Sequence, residues 1–130
     1  IPNGLGVVEH RMDLVFQGVL EGWIPLTRWI EVTAETPAKI SGLYPRKGTI
    51  APGSDADVVV YDPSATHTLS AETHHMNVDY SVFEGAELGG AAETVLLRGE
   101  VIVDQGEFVG ARARGEYLPR GTNALLPEGT

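Results

Sequence analysis

The sequence predicts an α+β fold in which helices come first and strands follow. Apolar residues recur with a helical period over about residues 7–43, whereas residues 48–110 contain strand-like runs separated by glycine turns. From Arg112 onward the sequence shows no period. Because helices and strands are segregated along the chain, the pattern indicates either an α+β domain or the seam between two domains, with the boundary near residues 44–50.

Three helices are predicted in the first third of the chain. A first helix begins near Val8 and ends at Gly22, with apolar side chains on one face at positions 8, 12, 15, 16, 19 and 20. Residues 26–33 predict a second, short amphipathic helix. Thr36 is predicted to cap a third helix over Pro37–Ser41, because threonine is a favoured cap and proline fits the first helical turn.

The strand predictions begin at Asp57–Tyr61, whose continuous apolar run is typical of a strand buried on both faces. A short strand is predicted over Thr66–Leu69, and residues 72–90 show no clear period. A meander of three strands follows, with turns at Gly99 and Gly106. Its strands are predicted over Glu93–Arg98, Glu100–Asp104 and Glu107–Val109.

Composition argues against several classes of partner. The 130 residues include 9 Lys+Arg against 18 Asp+Glu, a formal net charge of −9, so we expect no nucleic-acid partner. No apolar run approaches the ~20 residues that a membrane span needs, so we expect no membrane partner.

The absence of cysteine excludes disulfides, thiolate zinc sites and cysteine nucleophiles. The chain starts at Ile1 and its first methionine is Met12, which predicts a piece of a longer protein.

Candidate site residues, taken one at a time, favour structural roles. The side chains of His74 and His75 would point apart on a strand and lie ~100° apart on a helix, so a shared metal is disfavoured and hydrogen bonding is favoured. Asp55 and Asp57 would share one face of a strand and could hold a hard cation. The turn that precedes them favours turn capping by the two carboxylates instead.

Two features near the start of the chain give even less evidence of a functional site than these histidines and aspartates. The pair Gly4-x-Gly6 lacks the third glycine of a dinucleotide-binding loop, and Glu9 stands in its place. His10 is interpreted as a residue at the surface or the edge of the core. The residues taken alone therefore predict neither a catalytic side chain nor a metal ligand within this chain.

The motifs taken in order resemble one enzyme family over nearly all of the chain. Pro52-Gly53-Ser54-Asp55-Ala56-Asp57 is similar to a Gly-x-Asp-Ala-Asp element that amidohydrolases share widely. The segments that flank it narrow the resemblance to dihydropyrimidinases and bacterial D-hydantoinases, the cyclic-amidase branch. These segments are Ile1-Pro2-Asn3-Gly4, Thr36-Pro37-Ala38-Lys39-Ile40, Thr73-His74-His75, Phe83-Glu84-Gly85 and Arg98-Gly99-Glu100.

The resemblance implies a more specific fold. The family carries a TIM-like (β/α)8 barrel together with a small β-sandwich domain. Residues 1–47 would be the last loop and helices of the barrel, residues 48–110 the C-terminal strands of the β-sandwich, and residues 111–130 an extended arm. A complete barrel needs ~200 residues or more, so this chain cannot contain one.

The resemblance also implies an activity. The family opens cyclic amides, hydantoins and dihydropyrimidines, to N-carbamoyl amino acids with two divalent metal ions, usually zinc. The metal ligands would lie upstream of Ile1, so this chain alone is expected to be inactive. Only Asn3 carries over: the matching asparagine contacts the ring amide of the substrate largely through its backbone, and a turn-forming role is the alternative. The family further implies a cytoplasmic homo-tetramer built partly through the C-terminal region.

Two other functions stay open. The chain could belong to a relative that kept the fold, lost the metals and serves as a scaffold, although such relatives carry a longer tail after the position of Arg120. It could also be a free-standing β-rich interaction module. In that case the helix faces that hold Phe16 and Trp29 are expected to be exposed and to favour aggregation.

Overall fold

The structure is a computed structural model that describes residues 4–111 and 115–123. Helices precede strands, as the sequence predicts. The helices are α1 (Arg11–Leu20), α2 (Leu26–Ile30) and α3 (Thr36–Ile40), with a π-helical segment at Glu31–Glu35. The strands are β1 (Val58–Thr68), β2 (Glu87–Leu97), β3 (Glu100–Asp104) and β4 (Glu107–Phe108). Within these ranges no helix is both long enough and apolar enough to cross a membrane.

The strands form one four-stranded sheet in the order β1-β2-β3-β4, in which β2–β3 and β3–β4 pair antiparallel. Two-residue turns join β2 to β3 and β3 to β4. All four turn residues have positive φ: 49° at Arg98, 82° at Gly99, 50° at Gln105 and 82° at Gly106. This geometry is that of type I′ hairpin turns, whose twist matches the twist of the strands. The predicted turns and the predicted limits of β3 are confirmed.

The first two strands are longer than predicted. β1 joins the two predicted short strands into one, across Pro63. Proline is tolerated there because β1 is an edge strand within the described sheet. Beside it, Asp62 accepts hydrogen bonds from both the N–H and the hydroxyl of Ser64, at 2.8 and 2.7 Å. β2 begins at Glu87 rather than Glu93, since the glycine pair in its first half hides the strand pattern.

The predicted break before the third helix is wrong. Helical backbone runs without a break from Leu26 to Ile40, and Thr36 is itself helical (φ −63°, ψ −44°) rather than a cap. Its N–H donates to the carbonyl of Glu31, five residues earlier. The ring of Pro37 would clash with the carbonyl four residues before it in a regular α-helix, and the wider π turn accommodates it.

The chain divides into two compact units that interleave along the sequence. The first unit runs to Pro25 and resumes over Tyr61–Ala91. Its core contains Phe16, Leu69 and Leu88, and the rings of Phe16 and Tyr61 pack edge to face at 4.8 Å. Phe16 is therefore buried, contrary to the exposure expected for a free-standing module.

The second unit contains Leu26–Val60 and the chain from Ala92 onward. Trp29 and Ala38 are buried in it, so the exposure expected for Trp29 is also wrong. Val59 and Val60 are 40% and 46% exposed. Because consecutive strand residues face opposite sides of a sheet, this end of β1 is covered on neither face, and the predicted burial on both faces is wrong for the described residues.

Candidate functional site

The loop that leads into α1 is the part of the chain nearest to the predicted substrate contact. Asn3 itself lies outside the described residues. The structure describes this loop from Gly4 to His10, and α1 begins at Arg11. A second segment, residues 74–78, contacts this loop in the first unit, and we call it the loop clamp. The contacts between loop and clamp define the geometry of the site.

A carboxylate makes the central contact of the loop clamp. Glu9 accepts a hydrogen bond from the backbone N–H of His75 through Oε2 at 2.7 Å, and its Oε1 lies 2.9 Å from Nδ1 of the His75 ring. Burial raises the pKa of Glu9, but the hydrogen bonds from the ring and the backbone of His75 outweigh it and lower the pKa below its usual value. Glu9 is therefore held as a carboxylate at neutral pH.

Two packing contacts flank this carboxylate. A Cβ added at Gly6 would lie 3.0 Å from a methyl group of Val78, so the loop backbone lies directly on the clamp. His10 is 5% exposed, and its ring packs edge to face against the ring of His74 at 6.0 Å. The sequence predicted a position at the surface or the edge of the core for His10, whereas the structure buries it.

His74 and His75 have the hydrogen-bonding roles that the sequence predicts. Nδ1 of His74 accepts the backbone N–H of Met76 at 3.2 Å, which leaves Nε2 to donate to the carbonyl of Tyr80 at 3.4 Å. The two rings contact different partners, since His75 faces Glu9. Among residues 4–111 and 115–123, no group of three or more His, Asp or Glu side chains could hold a metal ion.

The first unit contains a second polar cluster, which the sequence did not predict. Asp13 accepts a hydrogen bond from the Tyr61 hydroxyl at 2.9 Å, and its other oxygen lies 3.4 Å from Nε2 of His67. Burial and the charge of Asp13 raise the pKa of Tyr61 far above its usual range, so the hydroxyl stays a neutral donor. Tyr61 and His67 follow Asp13 by 48 or more residues in the sequence, so no local pattern links the three.

The two aspartates of the Asp-Ala-Asp element bind side-chain and backbone donors in the second unit. Asp55 accepts hydrogen bonds from Arg46 at 3.0 Å and from Lys47 at 2.9 Å. Lys47 also pairs with Asp57, which accepts the backbone N–H of Arg98 at 2.8 Å. The predicted capping of the preceding turn is not what these carboxylates do: Asp55 binds two side chains, and Asp57 caps the later turn at Arg98 instead. The ammonium group of Lys47 lies between the carboxylates, where a hard cation was the alternative.

The amino-acid sequence of this chain is similar to the sequences of known proteins of one family. The model of the amidohydrolase family matches residues 20–103. The chain is 59% identical to a D-hydantoinase of Streptomyces coelicolor over 97% of its length, and 50% identical to a D-hydantoinase of Ralstonia pickettii over 92%. The chain spans only about a quarter of these relatives, 27% and 26% of their lengths.

The backbone agrees with the sequence comparison. The crystal structure of a dihydropyrimidinase from Brevibacillus agri is 45% identical and superposes with a TM-score of 0.91. The match covers 98% of this chain and 28% of that protein. The family model covers well over half of the chain, and both the sequence and the backbone likeness extend over nearly all of it. The chain therefore belongs to the amidohydrolase family.

Proposed function

We propose that this chain is the C-terminal portion of a metal-dependent hydrolase that opens cyclic amides, hydantoins or dihydropyrimidines, to N-carbamoyl amino acids. The observation that carries the proposal is the 59% identity to a D-hydantoinase over 97% of the chain. The TM-score of 0.91 to a dihydropyrimidinase supports it. Barrel folds host many chemistries, so the proposal rests on this sequence likeness rather than on the fold alone.

In this proposal the chain supplies a substrate-contacting loop. Active sites of barrel enzymes lie in the loops that follow the strands. The loop at Asn3 would be the last of them, and the backbone of Asn3 would contact the ring amide of the substrate. The loop clamp supports this role, because its contacts with Gly6, Glu9 and His10 fix the chain that follows Asn3.

The proposed reaction uses two divalent metal ions, with zinc as the proposed metal. Such ions polarise the carbonyl and make a hydroxide available at neutral pH. The described residues do not fit a metal centre, because they contain no group of three suitable side chains. We therefore place the metal ligands outside residues 4–111 and 115–123, and we expect this chain alone to be inactive.

The proposal extends to the organisation of the whole enzyme. Residues 1–47 would end the barrel, residues 48–110 would contribute strands to a β-sandwich, and residues 111–130 would form an arm. The full-length enzyme would be a cytoplasmic homo-tetramer assembled partly through this region. Sedimentation of the purified full-length protein tests the oligomeric state directly.

The test of the function is a ring-opening assay on the full-length protein. Hydantoin and dihydrouracil are the substrates, the carbamoyl products are identified by mass spectrometry, and bound metal is measured before and after dialysis against a chelator. We expect turnover of at least one ring, loss of turnover after dialysis and recovery on addition of zinc. A full-length protein that binds no divalent metal and opens neither ring would instead be a scaffold.

A further inference from the structure

Charge is distributed unevenly in the first unit, which has a first part that runs to Pro25 and a second part over Tyr61–Ala91. The first part contains three Asp and Glu residues and the second part five, against Arg11 as the single Lys or Arg. The unit also contains all four histidines of the chain, His10, His67, His74 and His75. Histidine ordinarily changes charge between pH 5 and 8, so these four rings set how much of the acidic charge is balanced near neutral pH.

Two of the histidines join the two parts of the unit through carboxylates at or just before the first turn of α1. Nδ1 of His75 lies 2.9 Å from Oε1 of Glu9, and Nε2 of His67 lies 3.4 Å from Oδ2 of Asp13. Both carboxylates belong to the first part and both rings to the second. The two contacts therefore fasten α1 and its entry loop to the rest of the unit.

These two contacts depend on protonation to different degrees. At 2.9 Å a neutral His75 ring can donate an ordinary hydrogen bond to Glu9, and its side chain is 73% exposed, so water and salt screen any charge it carries. The His67 contact is too long for a strong hydrogen bond, and its side chains are less exposed, 31% for His67 and 20% for Asp13. Its attraction therefore comes mainly from the positive charge of the protonated ring.

The surroundings of His67 carry acidic side chains from two elements. Asp13 approaches the ring from α1, and Glu87 of β2 lines the same groove as the ring. The Tyr61 hydroxyl also faces Asp13, but it stays a neutral donor, because burial and the charge of Asp13 raise the pKa of Tyr61 far above its usual range. A positive charge on His67 is therefore attracted by carboxylates of both α1 and β2.

Two features oppose positive charge on these rings. Nδ1 of His67 is buried and has no hydrogen-bond partner among residues 4–111 and 115–123, so a proton there is unpaired. The rings of His10 and His74 lie 6.0 Å apart and would repel each other if both were charged, although the carboxylates of Glu9 and Glu84 attract them. With eight carboxylates and one arginine in the unit, attraction to the protonated rings dominates.

We infer that the first unit is a pH-responsive element, in which the contact between Asp13 and His67 holds α1 against β1 more tightly when His67 is protonated. The closed unit then binds protons that the open unit releases. Its stability is therefore greatest below the histidine range and falls as pH rises from about 6 to about 8. The inference concerns the opening of α1 and not the ring-opening chemistry, so it does not rest on the proposed function.

The experiment measures amide hydrogen exchange of α1 by mass spectrometry in the full-length protein, with residues numbered as here. Exchange reports local opening, and it is compared at about pH 6 and about pH 8 after correction for the intrinsic pH dependence of amide exchange. We expect protection of α1 in the wild type to be about 3-fold or more lower at the higher pH. His67→Gln, which keeps a polar group that does not titrate, should remove most of this difference.

Asp13→Asn tests the same contact from the other side, because it removes the charge and keeps an acceptor for the Tyr61 hydroxyl. It should remove the pH difference as His67→Gln does, and the double variant should have no further effect. His75→Gln is the matched control. It breaks the other contact between the two parts, so it should lower protection about equally at both pH values and leave the pH difference in place.

Three results would overturn the inference. The first is wild-type protection that is equal at the two pH values or greater at the higher one. The second is a pH difference that persists in both His67→Gln and Asp13→Asn. The third is loss of the difference in His75→Gln. His67 is partly exposed, so His67→Gln still tests the inference where Asp13→Asn fails to fold.

Discussion

At Gly90, the packing of the first unit leaves no room for a side chain. Its φ is +83°, and a Cβ placed there would lie 2.6 Å from ring atoms of both Phe16 and Tyr61. Those two rings pack edge to face in the core of the unit. The glycine therefore has two reasons to be present, a left-handed backbone and the close approach of two aromatic rings.

We predict that Gly90→Ala lowers the free energy of unfolding by about 2–5 kcal/mol, the sum of a left-handed backbone cost and an overpacking cost. Gly85→Ala is the matched control, since Gly85 has a similar φ of +78° and nothing within 4 Å of its Cβ position. We expect a loss of about 1–2 kcal/mol there. Denaturant unfolding measures both variants, and equal losses would contradict the steric argument.

Lys47 is the residue on which the ion pairs of the Asp-Ala-Asp element converge. Burial lowers its pKa, but the hydrogen bonds to Asp55 and Asp57 outweigh burial and raise the pKa. The hydrogen bond from Lys47 lowers the pKa of Asp55. Burial raises the pKa of Asp57, and its hydrogen bonds to Lys47 and the Arg98 backbone reverse that effect and lower it.

We predict that Lys47→Met lowers Tm at neutral pH, and that the difference from the wild type shrinks at both ends of the pH scale. The aspartates contribute above their unfolded pKa of about 3.8, and the contribution is lost as pH falls through their lower folded values. The lysine contributes below about 10.5, and its contribution is lost as pH rises through its higher folded value. Thermal unfolding between pH 2 and 11 tests the window.

The control for this prediction is Arg28→Met. Arg28 pairs with Glu31 at 2.7 Å on the helix surface, where both side chains are more than 40% exposed. Exposed pairs contribute little, so we expect the Tm of this variant to stay close to that of the wild type at every pH. A loss of Tm equal to that of Lys47→Met would show that any lysine or arginine removal has the same effect.

Among the secondary-structure elements, the two hairpins are specified most locally. Each turn places a non-glycine residue at positive φ immediately before a glycine, at Arg98 and at Gln105. Arg98 has further contacts, with Asp57 through its N–H and with Glu116 at 3.6 Å. Gln105 is exposed, so substitutions there report on turn conformation with little effect on packing.

We predict that Gln105→Asn raises the free energy of unfolding by roughly 0.5–1 kcal/mol, because asparagine adopts the left-handed conformation more readily than glutamine. Gln105→Val is the opposite control: a β-branched residue is strained at positive φ, so stability should fall. Both variants are measured by denaturant unfolding. A gain from valine, or a loss from asparagine, would mean that the turn does not keep its type I′ conformation.

On the scale of the whole molecule, the second unit exposes a set of large apolar side chains on its strands and directly after the last of them. The set is Val59, Val60, Val101, Phe108 and Val109, each 40% or more exposed. Monomeric proteins seldom leave extended apolar surface in contact with water. In the proposed enzyme, further strands of the β-sandwich would cover the members of this set on one face of the sheet, since Val59 and Val60 face opposite sides.

We predict that the 130-residue chain expressed alone self-associates and binds a hydrophobic dye, because this apolar set is accessible to water. Sedimentation velocity over a range of concentrations and dye fluorescence are the measurements. The double variant Val60→Thr, Phe108→Thr should weaken both effects, since threonine keeps the strand preference with less apolar surface. A chain that stays monomeric without dye binding would instead support a free-standing interaction module.

Local pattern alone determined much of this protein. The order of helices and strands, the two glycine turns and the position of β3 follow from periodicity and turn chemistry, which act within a few residues. The motifs in order also indicated the cyclic-amidase branch of the amidohydrolases. Where local rules conflicted with one another, as at Thr36-Pro37 and at Pro63, the predicted breaks were wrong, because the surrounding helix and strand accommodate each proline.

Only the tertiary structure decided which distant groups meet. The hydrogen bonds of Glu9 with His75 and of Asp13 with Tyr61, and the packing of Gly90 on two rings, join positions that share no local pattern. The candidate site shows the same limit, since resemblance indicated Asn3, outside the described residues, but not the clamp that supports its loop. The physical reason is that the periodicity of the sequence specifies which face of a helix or strand is apolar. Which other element packs against that face depends on how the chain folds back on itself over tens of residues, and no local pattern records that.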